Sequence, residues 1–161
     1  MPVNSLFAPW RMEFIEKNGH YDSCVLCDIG KSDHREKDYV LWMGRLNYVV
    51  LNRFPYTHGH LMVVPLVHEC DWTKLQPDTL AEMAELSQRA IRVFRSELKC
   101  EAFNMGVNLG RAAGAGIEAH VHQHIVPRWV GDFNFMPLLA ETKVISEHLD
   151  ATFARLKKGW L

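Results

Sequence analysis

No apolar run in this 161-residue chain approaches the roughly 18 residues that a membrane-spanning helix needs, so no transmembrane helix is expected. The opening segment MPVNSLFAPWRMEFIEKNGH has no apolar signal core, and no secretory leader is expected either. Charge of either sign is not in surplus: the formal net charge is −1. A general binder of nucleic-acid backbone is usually strongly basic, so nucleic acid is not an expected partner. Cysteine is scarce, with Cys24, Cys27, Cys70 and Cys100 only. Without a leader, a disulfide scaffold is not expected, and a reducing, cytoplasmic setting is the default. Repeats, low-complexity runs and domain linkers are missing too, which favours one domain over residues 1–161. What the chain does have is apolar content: 48% hydrophobic residues suffice for a real core.

The pattern of elements is mixed. DYVLWMGRLNYVVLNRFP reads as two strands joined near Gly44, and HLMVVPLVHE as a mostly buried strand ending near Pro65. QPDTLAEMAELSQRAIRVFRSELK reads as a long helix. Its apolar stripe is Leu80, Met83, Ala84, Ser87, Ile91, Phe94 and Leu98. Pro77 suits the first turn and Asp78 the positive end of the dipole, while Glu85 and Arg89 are spaced for an ion pair. AFNMGVNLG reads as a strand, RAAGAG as a flexible loop, AHVHQHIVP as a strand stopped by Pro127, and SEHLDATFARLKK as a final helix. The expected class is α+β: a mostly antiparallel sheet with one long helix and a C-terminal helix on one face.

HVHQHIVPRW places His120, His122 and His124 at every second position. On a strand all three rings project from one face. Such a face admits three readings: a polar surface, a tris-imidazole metal site, or a division of labour in which one ring reacts and its neighbours support it. Rings spread over about 13 Å of strand can hardly share one ion at ~2 Å bonds unless the strand bends. Histidine can act as a nucleophile as well as a proton carrier. Separately, Cys24 and Cys27 have the Cys-x2-Cys spacing of half a zinc site; a redox dithiol and a pair of buried thiols are the rivals. Cys70 and Cys100 read as packing residues. His20, His34, His58 and His148 carry no pattern.

HVHQHIV resembles the signature of the histidine-triad (HIT) superfamily, in which three histidines alternate with apolar residues. LNRFPYTHGHLMVVPLVH and PRWVGDFNF are similar to the segments flanking that signature, so the likeness runs from about residue 24 to 135. The resemblance implies a HIT-like fold with its core at 38–135. It makes 1–37 an extension carrying the Cys-x2-Cys half-site and 136–161 a tail and helix. It further implies an enzyme that attacks the α-phosphate of a nucleotide, with a dinucleoside polyphosphate the best guess. His122 would become nucleotidylated, His124 would assist the leaving oxygen, His60 would support it, and His120 would orient the site. Asn52 would meet the ribose. Asn108, Arg111, Gly114 and Gly116 would face the phosphates in a loop that is not a Walker loop, since no Gly-Lys-Ser/Thr follows.

By the same resemblance, Cys24, Cys27, His68 and His120 would hold one structural zinc, and two chains would pair as a homodimer. Gln123 departs from the signature's apolar position but would point away from the histidine face. FAPWR, the AAGAG loop and VPRW are similar to a bacterial branch that includes diadenosine-tetraphosphate phosphorylases. Whether water or phosphate is the acceptor stays open, as does a nucleotide-binding module with little turnover. Trp129, Phe133, Phe135 and Met136 read equally as core or as the lip of a nucleotide pocket.

Overall fold

The computed structural model describes residues 23–132 and 145–160. FAPWR, Phe133, Phe135 and Met136 therefore lie outside the described residues. The described elements are α1 (Val25–Lys31), β1 (Val40–Met43), β2 (Asn47–Leu51), β3 (Leu61–Pro65), α2 (Pro77–Glu97), β4 (Ala102–Val107), β5 (Gln123–Arg128) and α3 (Leu149–Trp160). The strands form one sheet in the order β1-β2-β3-β5-β4, and every neighbouring pair is antiparallel. The α+β class expected from the sequence is the class observed.

Alternation of side chains across the strands divides the molecule. Leu41, Val49, Leu51, Leu61, Val63 and Ile125 point to the side covered by α2 and α3, where they meet Met83, Phe94, Leu156 and Trp160. Val40, Tyr48, Val50, Met62 and Val64 point to the other side and pack on Leu26 of α1. The long helix and the C-terminal helix thus share one face, as expected, and the short α1, which no sequence pattern marks, covers the other. The short helix α1 is held by the Tyr48 hydroxyl, which donates to the Leu26 carbonyl at 2.6 Å.

The long helix is present but turned relative to its expected stripe. Met83, Ser87, Phe94 and the following Leu98 are buried, yet so are Leu86, Ala90 and Val93, while Ala84 is exposed. The apolar set is wide enough to define two overlapping stripes, and docking against the sheet selects the one centred on Ala90. Arg89 does not serve a surface pair with Glu85. Its guanidinium lies 4.0 Å from the Trp42 ring centroid and 4.8 Å from that of Trp160, and it donates to the Trp160 carbonyl. A planar cation stacks well on aromatic faces, so Arg89 ties α3 to the sheet.

Pro127 sits inside β5 instead of stopping it. It pairs with Phe103 in register, while β3 begins opposite Ile125. The Arg128 carbonyl accepts from the Glu101 N–H on the β4 side, so Pro127, one residue earlier, turns its backbone the other way. Its missing N–H therefore falls beyond the start of β3, where no ladder bond is lost.

Candidate active site and metal centre

The three histidines do not share one regular strand. β5 begins at Gln123, so only His124 lies in the ladder, and His120 and His122 precede it in the approach to the sheet. That approach is anchored by the Val121 N–H, which donates to the Glu69 carbonyl at 2.7 Å. Freed from the ladder, His120 turns away from its neighbours. His122 and His124 remain together, with ring centroids 4.7 Å apart. All three rings are buried, as is His60.

Backbone groups dictate which nitrogen carries each proton. The Tyr56 N–H donates to His60 Nδ1 at 3.1 Å, and the Asn52 amide nitrogen lies 3.3 Å from the same atom. A nitrogen facing an N–H donor must present its lone pair, so the neutral His60 ring carries its proton on Nε2. That proton points at His124 Nδ1, 2.9 Å away. His124 then carries its own proton on Nε2. His122 is set by an acceptor instead: its Nδ1 donates to the His120 carbonyl at 2.8 Å, which leaves the lone pair on Nε2. The site thus pairs an imidazole able to attack with one able to donate. Burial pushes the pKa of His122 down, against the opposing effect of the His120 carbonyl. Burial and the neighbouring His122 push His124 down to about 4. Both rings are therefore neutral near pH 7.

Tyr56 completes this cluster, though no sequence pattern marks it. Its ring lies 4.5 Å from that of His60 and 5.4 Å from that of His124, centroid to centroid. The decisive contact uses its backbone N–H, which any residue but proline could supply. Asn52, expected at the ribose, here accepts from the Phe54 N–H at 2.8 Å and borders His60, so it shapes the turn that presents Tyr56. Asn108 is half-buried just past β4. Arg111 does not reach into the site: it is exposed and bonded to Glu118 at 2.9 Å. The loop it belongs to contains a single 3-10 turn, Arg111–Ala113. Gly110 and Gly114 flank that turn at φ of 77° and 83°, a region that favours glycine. Gly116 lies two residues further on and is exposed. Gln123 turns to the helix side, 3.3 Å from the Ser87 hydroxyl.

Trp129 belongs with the core. It packs against the main hydrophobic cluster and donates from Nε1 to the Leu98 carbonyl. His58 lies against Trp129, ring centroids 5.7 Å apart, and 3.7 Å from Glu147. His58, which carries no pattern in the sequence, is half-buried. Cys100 is buried, as a packing residue would be, but Cys70 is exposed.

On the other side of His120 stands a second cluster. His120 Nδ1 lies 3.4 Å from both Cys24 Sγ and Cys27 Sγ, and His68 Nδ1 lies 3.2 Å from Cys27 Sγ. All four donor atoms fall within 4.8 Å of one another. Tetrahedral zinc with bonds of about 2.0–2.3 Å requires ligand separations of roughly 3.3–3.8 Å, so these residues fit the ion with little movement. His120 is already in the right tautomer: its Nε2 donates to the Pro65 carbonyl at 2.9 Å, leaving Nδ1 free to coordinate. Burial and the neighbouring Cys24 thiol raise the Cys27 pKa in the metal-free chain, so metal binding would release a proton there.

An antiparallel five-stranded sheet, directed imidazoles on the face away from its long helix, and a Cys₂His₂ cluster sharing the first of those histidines together define a histidine-triad architecture. The HIT domain matches residues 35–130, and the chain belongs to this family. It is 41% identical over 125 residues to the AP-4-A phosphorylase of Mycobacterium tuberculosis, covering 78% of this chain. It spans 64% of that relative's length. Among solved structures it is similar to a Zn-bound histidine triad family protein from Mycobacterium smegmatis, at 29% identity and a TM-score of 0.70, covering 86% of this chain and 93% of that one. A histidine triad nucleotide-binding protein from Sulfolobus tokodaii is similar at 28% identity and a TM-score of 0.66, covering 85% and 89%. No described helix is long and apolar enough to cross a membrane.

Proposed function

We propose that this protein cleaves a dinucleoside polyphosphate by transferring a nucleotidyl group through His122. The observation that carries this reading is the paired protonation of the two rings, with the lone pair on His122 Nε2 and the proton on His124 Nε2. In the first displacement His122 Nε2 bonds the α-phosphorus as the bridging oxygen departs, and His124 Nε2–H donates a hydrogen bond to that oxygen, which leaves as an ionised terminal phosphate oxygen. His60 Nε2–H holds His124 in this tautomer from behind. In the second displacement an acceptor oxygen attacks the phosphorus and the bond to His122 breaks, returning the lone pair to Nε2; an ionised phosphate oxygen has no proton to lose, and water would release its proton to solvent. Each half is an easier step than one direct attack by water.

The likeness to a protein named AP-4-A phosphorylase favours phosphate as that acceptor. With diadenosine tetraphosphate, transfer to phosphate yields ADP and ATP, whereas transfer to water yields AMP and ATP. Incubation with and without phosphate tests this: ADP formed only when phosphate is present supports phosphorolysis, and AMP formed in either case assigns water.

Asn52, Asn108, Arg111, Gly114 and Gly116 remain proposed substrate contacts; Arg111 reaches a polyphosphate only by leaving Glu118. Cys24, Cys27, His68 and His120 would hold one zinc. A closed four-ligand ion has no open position and would supply only a structural tie between α1, the segment after β3 and the triad. We further propose a homodimer. β4 is a sheet edge with Met105 exposed, and pairing would remove that liability.

A further inference from the structure

Gly106 is a glycine that the fold does not require. It lies within β4, where glycine weakens a strand, since it costs backbone entropy and packs nothing. Its φ is not in the left-handed region, and a Cβ built on it meets nothing within 4 Å among the described residues. Neither conformation nor crowding explains it. Gly59, by contrast, combines a φ of 76° with contacts of 3.1–3.4 Å to Pro127, Leu98 and Phe94.

Register supplies a reason. Gly106 stands directly opposite His124, and opposed residues of an antiparallel pair share a face. On the other flank of His124 the opposed residue is Met62, which is buried. One side of the imidazole is therefore walled and the other is bare backbone. A side chain at 106 would place its Cβ about 4.5–5.5 Å from that of His124. His124 is 8% exposed, and its Nε2 is not among the sealed, unpaired polar atoms of the described residues. A donor at the open tip of a mostly buried ring can be met by an arriving acceptor. Glycine inside a strand often marks a place where a ligand approaches closely.

We propose that Gly106 determines specificity. Its bare backbone is the floor over which the leaving half of the substrate lies, so that a phosphate-linked leaving group as large as a nucleotide reaches His124. This rests on the role of His124 at the leaving oxygen given above.

The test is Gly106→Val, with Gly106→Ala as the smaller step, on the full chain. Binding is measured for two probes: a non-hydrolysable methylene analogue of diadenosine tetraphosphate, and AMP, which lacks the leaving half. Valine favours strands and meets open space, so the melting temperature should hold or rise. Affinity for the analogue should fall roughly tenfold or more beyond any loss for AMP, with alanine in between. Equal losses for both probes would overturn the proposal, as would a lowered melting temperature, which would make Gly106 a packing residue. The binding readout is independent of turnover. A wild-type protein that cleaves no dinucleotide yet shows the split would refute the reaction while leaving Gly106 in its role; one that cleaves it and shows no split would do the reverse.

Discussion

His60 Nε2 lies 2.9 Å from His124 Nδ1, and the proton between them belongs to His60 because the Tyr56 N–H occupies its other nitrogen. A backbone amide on the turn after β2 thereby decides the tautomer of a ring on β5. His124→Ala should lower kcat by about 10²–10³-fold, the usual worth of one donor aimed at developing charge. His60→Gln should cost less, since it removes support and leaves the donor in place. Steady-state kinetics with a good and a poor leaving group separates them: the His124 loss should shrink when the leaving oxygen is intrinsically stable as an anion. Losses equal for both leaving groups would contradict the assignment.

The pH dependence has a definite sign. His122 is needed neutral, and its pKa is lowered by burial, so kcat/KM should stay level through pH 6.5 and fall only on further acidification. Stability follows the same direction. With folded pKa values below the unfolded one, the unfolded chain takes up protons first as pH falls, so stability is complete above about pH 6.5. It is then lost toward the value of about 4 at His124. A pH–rate profile and melting temperatures across that range check both, and a rate that peaks below pH 5 would contradict them.

Metal removal should act on folding more than on chemistry. One zinc per chain is expected by elemental analysis, and chelation should lower the melting temperature, since the unfolded chain has no preformed site. Protein that retains its fold after chelation should retain turnover. Instant loss of turnover with an unchanged melting temperature would instead make the ion catalytic.

Trp129→Ala should reduce stability by about 3 kcal/mol, the low end of the range for buried tryptophans, because the ring is half-buried and bonded to the Leu98 carbonyl. The sequence admits a core residue and a pocket lip equally; the packing favours an effect on melting over one on substrate affinity. Denaturant unfolding beside the Michaelis constant of the folded variant distinguishes these outcomes.

The strands, the long helix and the triad were legible because each depends on local periodicity or on a motif. Leu61–Pro65 and Pro77–Glu97 emerged close to their expected bounds. What escaped depends on backbone and register. The turn of His120 toward Cys24 and Cys27 follows from β5 starting at Gln123, which alternation alone cannot show. The tolerance of Pro127 follows from where β3 begins, and the reach of Tyr56 from its N–H. The rotation of the long helix was hidden because its stripe and the true buried set share Met83, Ser87 and Phe94. Arg89 read as half of a surface pair because sequence spacing cannot see the two tryptophans that α3 and β1 bring to it.

The most direct measurement is a rapid quench of wild-type protein with diadenosine tetraphosphate labelled at the α-phosphorus, followed by peptide mass analysis of the alkaline-stable adduct. One nucleotidyl group should appear on His122 within the first turnover and disappear when phosphate is added. His122→Ala should form none and lose roughly 10⁴-fold or more in kcat. Turnover with no adduct, and inversion at a chiral phosphorothioate where two displacements require retention, would contradict attack by His122.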